Sequence, residues 1–175
     1  MTPADVFLRA SRGYLSHEYR IKVRRAVTAL PPDALWSRAN AESNSVGNLL
    51  QHLTGNVRQW LVSGVGGAPD IRDRAAEFAA REGGDAEELL SRLEAVLGDA
   101  DAVLARLTAD DLVSRRTIQG RDVTVLEAVY TCVQHFALHL GQIILVAKEQ
   151  SPGAVRFYED AGGQAKPIWK QQDTR

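Results

Sequence analysis

The pattern of apolar and polar positions predicts one long central helix between Thr124 and Gln150. Apolar side chains lie around most of its circumference rather than along one stripe, so several of its sides should be covered. Thr124 and Glu127 fit a capping box at its start, and Ser151-Pro152-Gly153 follows its last turn. A helix of this kind is expected at the centre of a helical bundle.

Two histidines interrupt this apolar helix. His135 and His139 are four residues apart, so they share one face of the helix with Thr131 and Gln142. Imidazoles at this spacing can bind one divalent ion, but the spacing also fits two hydrogen-bonded core histidines. Phe136 follows His135, so the His-Glu-x-x-His pattern of metalloproteases is absent.

The first predicted helix starts at Thr2-Pro3-Ala4-Asp5 and ends at Leu30, before two prolines. Alternating steps of three and four residues predict its bundle-facing stripe, which consists of Phe7, Ala10, Tyr14, His17 and Ile21. His17 could approach a metal centre from this stripe, although exposure to solvent is the expected outcome.

The second predicted helix runs from about Val46 to Ser63 and carries a second polar line. This line consists of Asn48, His52, Asn56 and Gln59. A solvated helix face has the same pattern. However, His52 would be the third imidazole that His135 and His139 need for a metal site with three protein ligands and open positions.

The remaining segments complete the predicted architecture. A long crossover spans residues 64–84 and contains a short helix between Arg72 and Arg81, and a third long helix follows the capping pair Asp85 and Glu88 to about Leu107. Residues 113–118 are expected to be extended, and Gly120 should form a turn. We therefore predict a bundle in residues 1–150 and a tail, residues 151–175, that packs on the bundle or on a partner subunit.

Composition narrows the function classes. The 175 residues have 45% hydrophobic and 25% charged side chains and a formal net charge of -1, which predicts one globular domain and no binding to nucleic acid or to an anionic membrane. Cys132 is the only cysteine, so an intrachain disulfide is excluded. With no signal peptide or long uninterrupted apolar run, a soluble cytoplasmic protein is expected.

Two motifs in combination resemble the DinB-like superfamily. Residues 43–53 (SNSVGNLLQHL) and 55–60 (GNVRQW) resemble the start of its second helix, and residues 135–143 (HFALHLGQI) look like its last-helix motif. The resemblance extends over about Val6 to Lys148 and leaves the tail uncovered. The two motifs together are much more specific than either one alone.

This resemblance implies an all-α fold, a four-helix bundle with a long crossover between the second and third helices. It implies a divalent metal ion, nickel or zinc, bound by His52, His135 and His139. It also implies a homodimer, for which the aromatic residues of the tail are a lesser argument.

The resemblance further implies a metal-dependent enzyme that transfers a low-molecular-weight thiol to a small electrophile. Two alternatives stay open, a non-catalytic metal- or ligand-binding bundle and a metal-dependent hydrolase. For hydrolysis the sequence shows no evident general base, since Glu127 serves as a helix cap. Cys132 is expected to be a core residue. Asn48, Asn56 and Gln142 are candidates for orienting the ligands or binding substrate.

Overall fold

The computed structural model describes residues 1–171, and it is an all-α protein built on four long helices. Helix α1 comprises Pro3–Arg12, a π-helical segment Gly13–Tyr19 and a second α-helical segment Arg20–Thr28. Helix α2 comprises Val46–Val57 and a π-helical segment Arg58–Val65. The other two long helices are α4, Ala86–Ala105, and α6, Val125–Gln150.

Short elements connect and flank the long helices. The crossover between α2 and α4 contains helix α3, Arg74–Ala79, and a short helix α5, Ala109–Val113, follows α4. An antiparallel hairpin then leads into α6, with strands β1, Arg115–Ile118, and β2, Arg121–Thr124. After α6, strands β3, Tyr158–Asp160, and β4, Ala165–Pro167, form a second hairpin. Two short 3-10 segments lie at Pro32–Ala34 and Trp169–Gln171.

The predicted helix starts are confirmed by their capping hydrogen bonds. Capping boxes join Thr2 to Asp5 at α1, Asp85 to Glu88 at α4, and Thr124 to Glu127 at α6. Each box satisfies backbone N–H groups that the first helical turn leaves without partners. Local polar chemistry therefore determines where these helices begin.

The predicted inner face of α1 is only partly right. Phe7 and Ile21 of the predicted stripe pack against the core, but Tyr14 is 44% exposed, whereas Leu8 and Leu15, on the neighbouring stripe, are buried. His17 is exposed, as expected. The two stripes are neighbours on the helix and have the same period, so spacing alone does not distinguish them. The π-helical segment Gly13–Tyr19 also changes the angle between successive residues within this helix.

Helix α6 lies against α1 and α2, and Phe136 and Ile143 have no exposed surface. By length and composition Val125–Gln150 is apolar enough to span a membrane. Its buried face, which includes these two residues, is instead part of the bundle core. This arrangement is typical of a core helix in a soluble protein.

The crossover is fastened to the start of α2. Asn48 Nδ2 donates hydrogen bonds to the carbonyl oxygens of Glu77 (2.8 Å) and Ala80 (2.9 Å). Arg38 Nη2 donates to Asn48 Oδ1 (2.6 Å) and to the carbonyl oxygen of Phe78 (2.9 Å). These bonds hold α3 against α2 at the level of His52.

The tail, as far as residue 171, lies against α1. Lys22 Nζ is 5.9, 5.2 and 5.1 Å from the ring centroids of Phe157, Tyr158 and Trp169, and it donates a hydrogen bond to the Tyr158 hydroxyl at 3.0 Å. The predicted division into residues 1–150 and a tail of residues 151–175 stays a prediction. Residues 172–175 lie outside the described residues.

Candidate metal centre

The three histidines of the predicted ligand set lie together between two long helices, with His52 buried and His135 and His139 half-buried. His52 projects from α2, and His135 and His139 project from successive turns of α6. The ring centroids are 5.0 Å apart for His52 and His135, 4.9 Å for His52 and His139, and 4.5 Å for His135 and His139. We call these residues the histidine cluster. His17 is not part of it, since its ring lies against Trp169.

The spacing of the ring nitrogens fits one divalent ion. One nitrogen from each ring lies within 4.8 Å of the other two, and the Nε2 atoms of His52 and His135 are 2.9 Å apart. Nitrogen ligands at 2.0–2.1 Å from a tetrahedral ion would be about 3.3 Å from each other. Small rotations of the side chains would therefore give a metal-binding geometry. A set of three imidazoles could hold zinc, nickel or another borderline ion.

A buried ion pair from the crossover lies behind His52. Glu77 Oε2 is 2.9 Å from His52 Nδ1. Arg72 donates to both carboxylate oxygens of Glu77, from Nε to Oε1 at 2.7 Å and from Nη2 to Oε2 at 2.8 Å. Burial alone would raise the pKa of Glu77, but the hydrogen bonds from Arg72 and His52 lower that pKa below its ordinary value.

His139 has a polar partner on its own helix. Its Nδ1 atom is 2.7 Å from Gln142 Oε1, so the Gln142 amide can hold the ring in one orientation. The other two amides proposed from the sequence do not contact the histidine cluster through hydrogen bonds. Asn48 fastens the crossover, and Asn56 is buried one turn beyond His52 on the same helix.

The electrostatic environment keeps the imidazoles of α6 neutral. Burial, followed by the neighbouring histidines and the charges of Arg72 and Arg74, lowers the pKa of His135 to about 4. Burial also lowers the pKa of His139. Neutral imidazole is the form that binds metal ions, so these two ligands need not lose a proton near pH 7.

Cys132 is a core residue, as predicted. It has no exposed surface, and burial raises the pKa of its thiol to about 12. A protonated, buried thiol is a poor nucleophile and a poor metal ligand.

Sequence reasoning does not identify Arg72 and Glu77 as part of the site. They lie 20 and 25 residues after His52, on a segment whose pattern predicts only a short helix. Their contact with His52 depends on how the crossover folds back over α2, and no local spacing encodes that. The sequence feature that comes nearest to indicating this contact is Asn48, which belongs to the same polar line as His52. In the structure Asn48 donates hydrogen bonds to the end of α3.

Comparisons with known proteins agree with the fold. A family model described as "Protein of unknown function (DUF1572)" matches residues 3–156. A DinB-like protein of Bacillus subtilis, YjoA, has 19% sequence identity and a TM-score of 0.64, and the match covers 87% of this chain and 98% of that chain. For a DinB-like protein of Bacillus cereus the identity is 17% and the TM-score 0.59, with 81% and 95% covered. At such identities the similarity shows the fold alone. No curated protein sequence matches the chain.

Proposed function

This chain belongs to the DUF1572 family of proteins of unknown function and has the DinB-like fold, and from that premise we propose that it is a metal-dependent enzyme that transfers a low-molecular-weight thiol to a small electrophile. His52, His135 and His139 would hold the divalent ion, nickel or zinc. The convergence of these three imidazoles is the observation that carries the proposal.

The residues of the chain prepare this site for an ion. His135 and His139 are held neutral by burial, and Gln142 orients His139 through Nδ1. Glu77 contacts the corresponding atom of His52. A bound divalent ion would lower the pKa of a coordinated thiol and favour the thiolate near pH 7.

Two observations favour an exogenous thiol as the nucleophile. Cys132, the only thiol of the chain, is buried and protonated, so a thiol nucleophile has to come from outside the chain. Glu77, the acid in contact with the histidine cluster, accepts hydrogen bonds from Arg72 on both oxygens. It is therefore poorly placed to take a proton from water, which argues against the hydrolase alternative.

The first test is the metal content of the protein. Protein purified without an affinity tag should contain close to one divalent ion per chain, as measured by elemental analysis. His135→Ala should lose most of this metal because two imidazoles bind far more weakly than three. Unchanged metal content in a folded His135→Ala variant would contradict the ligand assignment.

The second test is turnover. Metal-loaded protein is screened against pairs of small thiols and electrophiles, with loss of free thiol as the readout. His52→Ala and His139→Ala should abolish turnover, whereas folded Cys132→Ala should retain it. An inactive but folded and metal-loaded Cys132→Ala would overturn the mechanism. If no thiol supports turnover by metal-loaded wild-type protein, the non-catalytic metal- or ligand-binding alternative replaces this proposal.

A further inference from the structure

The ion pair between Arg72 and Glu77 lies in an unusual place for a structural salt bridge. Its side chains are 2% and 9% exposed, and they lie on a crossover rather than in the bundle core. Burying two charges is costly, and an apolar pair of similar volume is often at least as stable. The contact of Glu77 with His52 therefore points to a role beyond stability.

The hydrogen bonds assign a proton to one nitrogen of His52. Arg72 Nη2 is 3.1 Å from His52 Nδ1, so Nδ1 could in principle accept from Arg72. In that case an unprotonated nitrogen would face the Glu77 carboxylate at 2.9 Å, with lone pairs opposed. A proton on Nδ1, donated to Glu77, removes this repulsion and leaves Arg72 to donate to Glu77. The Nε2 lone pair then points to His135.

We propose that Glu77 and Arg72 are positioning residues that fix His52 as the Nδ1–H tautomer, with Nε2 directed into the histidine cluster. Glu77 accepts the Nδ1 proton, and Arg72 holds both carboxylate oxygens so that the carboxylate cannot rotate away. The part of this proposal that concerns metal affinity rests on the proposed function. The tautomer itself is a property of the chain without any ion.

Gly55 provides the space that the carboxylate occupies. A Cβ atom at this position would lie 1.9 Å from Glu77 Oε1 and 2.9 Å from Arg72 Nε. Glycine is unfavourable inside a helix, and Gly55 lies in the interior of α2, so its presence there needs a local reason. The close approach of the carboxylate is that reason, and it makes Gly55→Ala a way to displace Glu77 without removing any hydrogen-bonding group.

A second layer of hydrogen bonds holds Arg72 in turn. Gln59 Oε1 accepts from Arg72 Nη1 at 3.0 Å, and it also accepts from Gln119 Nε2 at the turn between β1 and β2. Gln59 Nε2 donates to Asp70 Oδ2 at 2.7 Å. A continuous set of side chains therefore links the hairpin turn to His52. This arrangement limits the freedom of the guanidinium group and so of Glu77.

The tautomer is tested on metal-free protein by 15N NMR of labelled histidine side chains. The resonances of His52 are assigned as those that disappear in the His52→Gln variant. Wild type should show His52 protonated at Nδ1. Gly55→Ala and Glu77→Gln should show a mixture of the two tautomers. A wild-type His52 protonated at Nε2, or an unchanged Nδ1–H tautomer in both variants, would overturn the proposal.

Metal affinity is measured in the same variants by competition with a chelator for zinc. Gly55→Ala and Glu77→Gln should bind zinc ten- to a hundredfold more weakly than wild type. Gly98→Ala is the matched control, since a Cβ there meets nothing within 4 Å, and its affinity should be unchanged. Circular dichroism establishes that each variant is folded.

Wild-type affinity in both folded site variants would overturn the positioning role. Failure of wild type itself to bind any divalent ion would refute the proposed function, and the tautomer measurement would then decide this proposal alone.

Discussion

His135 is the residue of the cluster whose charged form the protein disfavours most clearly. Burial is the main cause, and His139, His52 and two nearby guanidinium groups, those of Arg72 and Arg74, act in the same direction. The pKa of about 4 lies below the value of about 6.5 for a histidine in an unfolded chain. The unfolded state therefore binds more protons than the folded state between these two pH values.

The metal-free protein should lose stability in acid for this reason. The contribution of neutral His135 to the free energy of unfolding is fully present above about pH 6.5. As the pH falls toward about 4, this contribution is lost and the free energy of unfolding decreases by up to about 1.4 kcal/mol per pH unit. Urea unfolding of chelator-treated protein at pH 7.5, 6.0 and 5.0 measures this dependence. His135→Gln should be less sensitive to pH over the same interval. An equal slope in the variant would show that other groups cause the loss.

Single residues also show how far sequence reasoning reaches into the site. His135 and His139 are placed together by helical spacing, and Gln142 lies on the same line, so their proximity was predictable. His52 could be matched to them through the resemblance of two motifs. Glu77 and Arg72 could not be found, because their contacts arise from the path of a crossover and not from any period in the chain.

The helices themselves were largely predictable, since caps and prolines determine their ends. Their irregular parts were not. Two π-helical segments, Gly13–Tyr19 and Arg58–Val65, continue helices that the pattern describes as ordinary. The crossover likewise had only a predicted short helix, whereas its attachment to α2 depends on Trp36, Arg38 and Asn48. Tertiary contacts of this kind are not encoded in local propensity.

Gly47→Ala tests the packing of the loop after α1 on α2. A Cβ atom at Gly47 would lie 2.8 Å from three atoms of the Trp36 indole, a rigid ring whose Nε1 donates to the Gly84 carbonyl oxygen. The substitution should lower the free energy of unfolding by about 1–3 kcal/mol. In contrast, Gly98→Ala, at an open helical site, should raise it by up to about 1 kcal/mol. Urea denaturation measures both.

A double mutant distinguishes this clash from a general effect on α2. In a Trp36→Ala background the ring is gone, so Gly47→Ala should cost much less than it does alone. Equal costs in the two backgrounds would contradict the packing explanation.

For the whole molecule, the all-α four-helix bundle with its long crossover is confirmed. One face of α6 is apolar but not covered by the rest of the described chain. Tyr130 is 62% exposed, and Leu138 and Leu145 are each 58% exposed. We propose that this face forms the interface of a homodimer, which the resemblance to DinB-like proteins also implies. A second copy of the same helix would be a complementary apolar partner.

Light scattering after gel filtration tests the homodimer. The wild-type protein should have a molar mass of twice the chain mass. The molar mass of Leu138→Glu should be closer to one chain mass, because a charge buried at the interface is unfavourable. Val113→Glu is the matched control, since Val113 is 71% exposed but lies on α5 rather than on α6. A wild type with one chain mass over a wide concentration range would exclude the dimer.

The distribution of the histidine cluster along the chain also determines when it can exist during synthesis. His52 and His135 are separated by 83 positions, and the last long helix supplies two of the three imidazoles. A nascent chain that has emerged only as far as α4 carries His52 and its Glu77 partner but no site for an ion. If the cluster binds an ion as proposed, the ion would bind only after α6 has docked, and therefore after the main folding events of the chain.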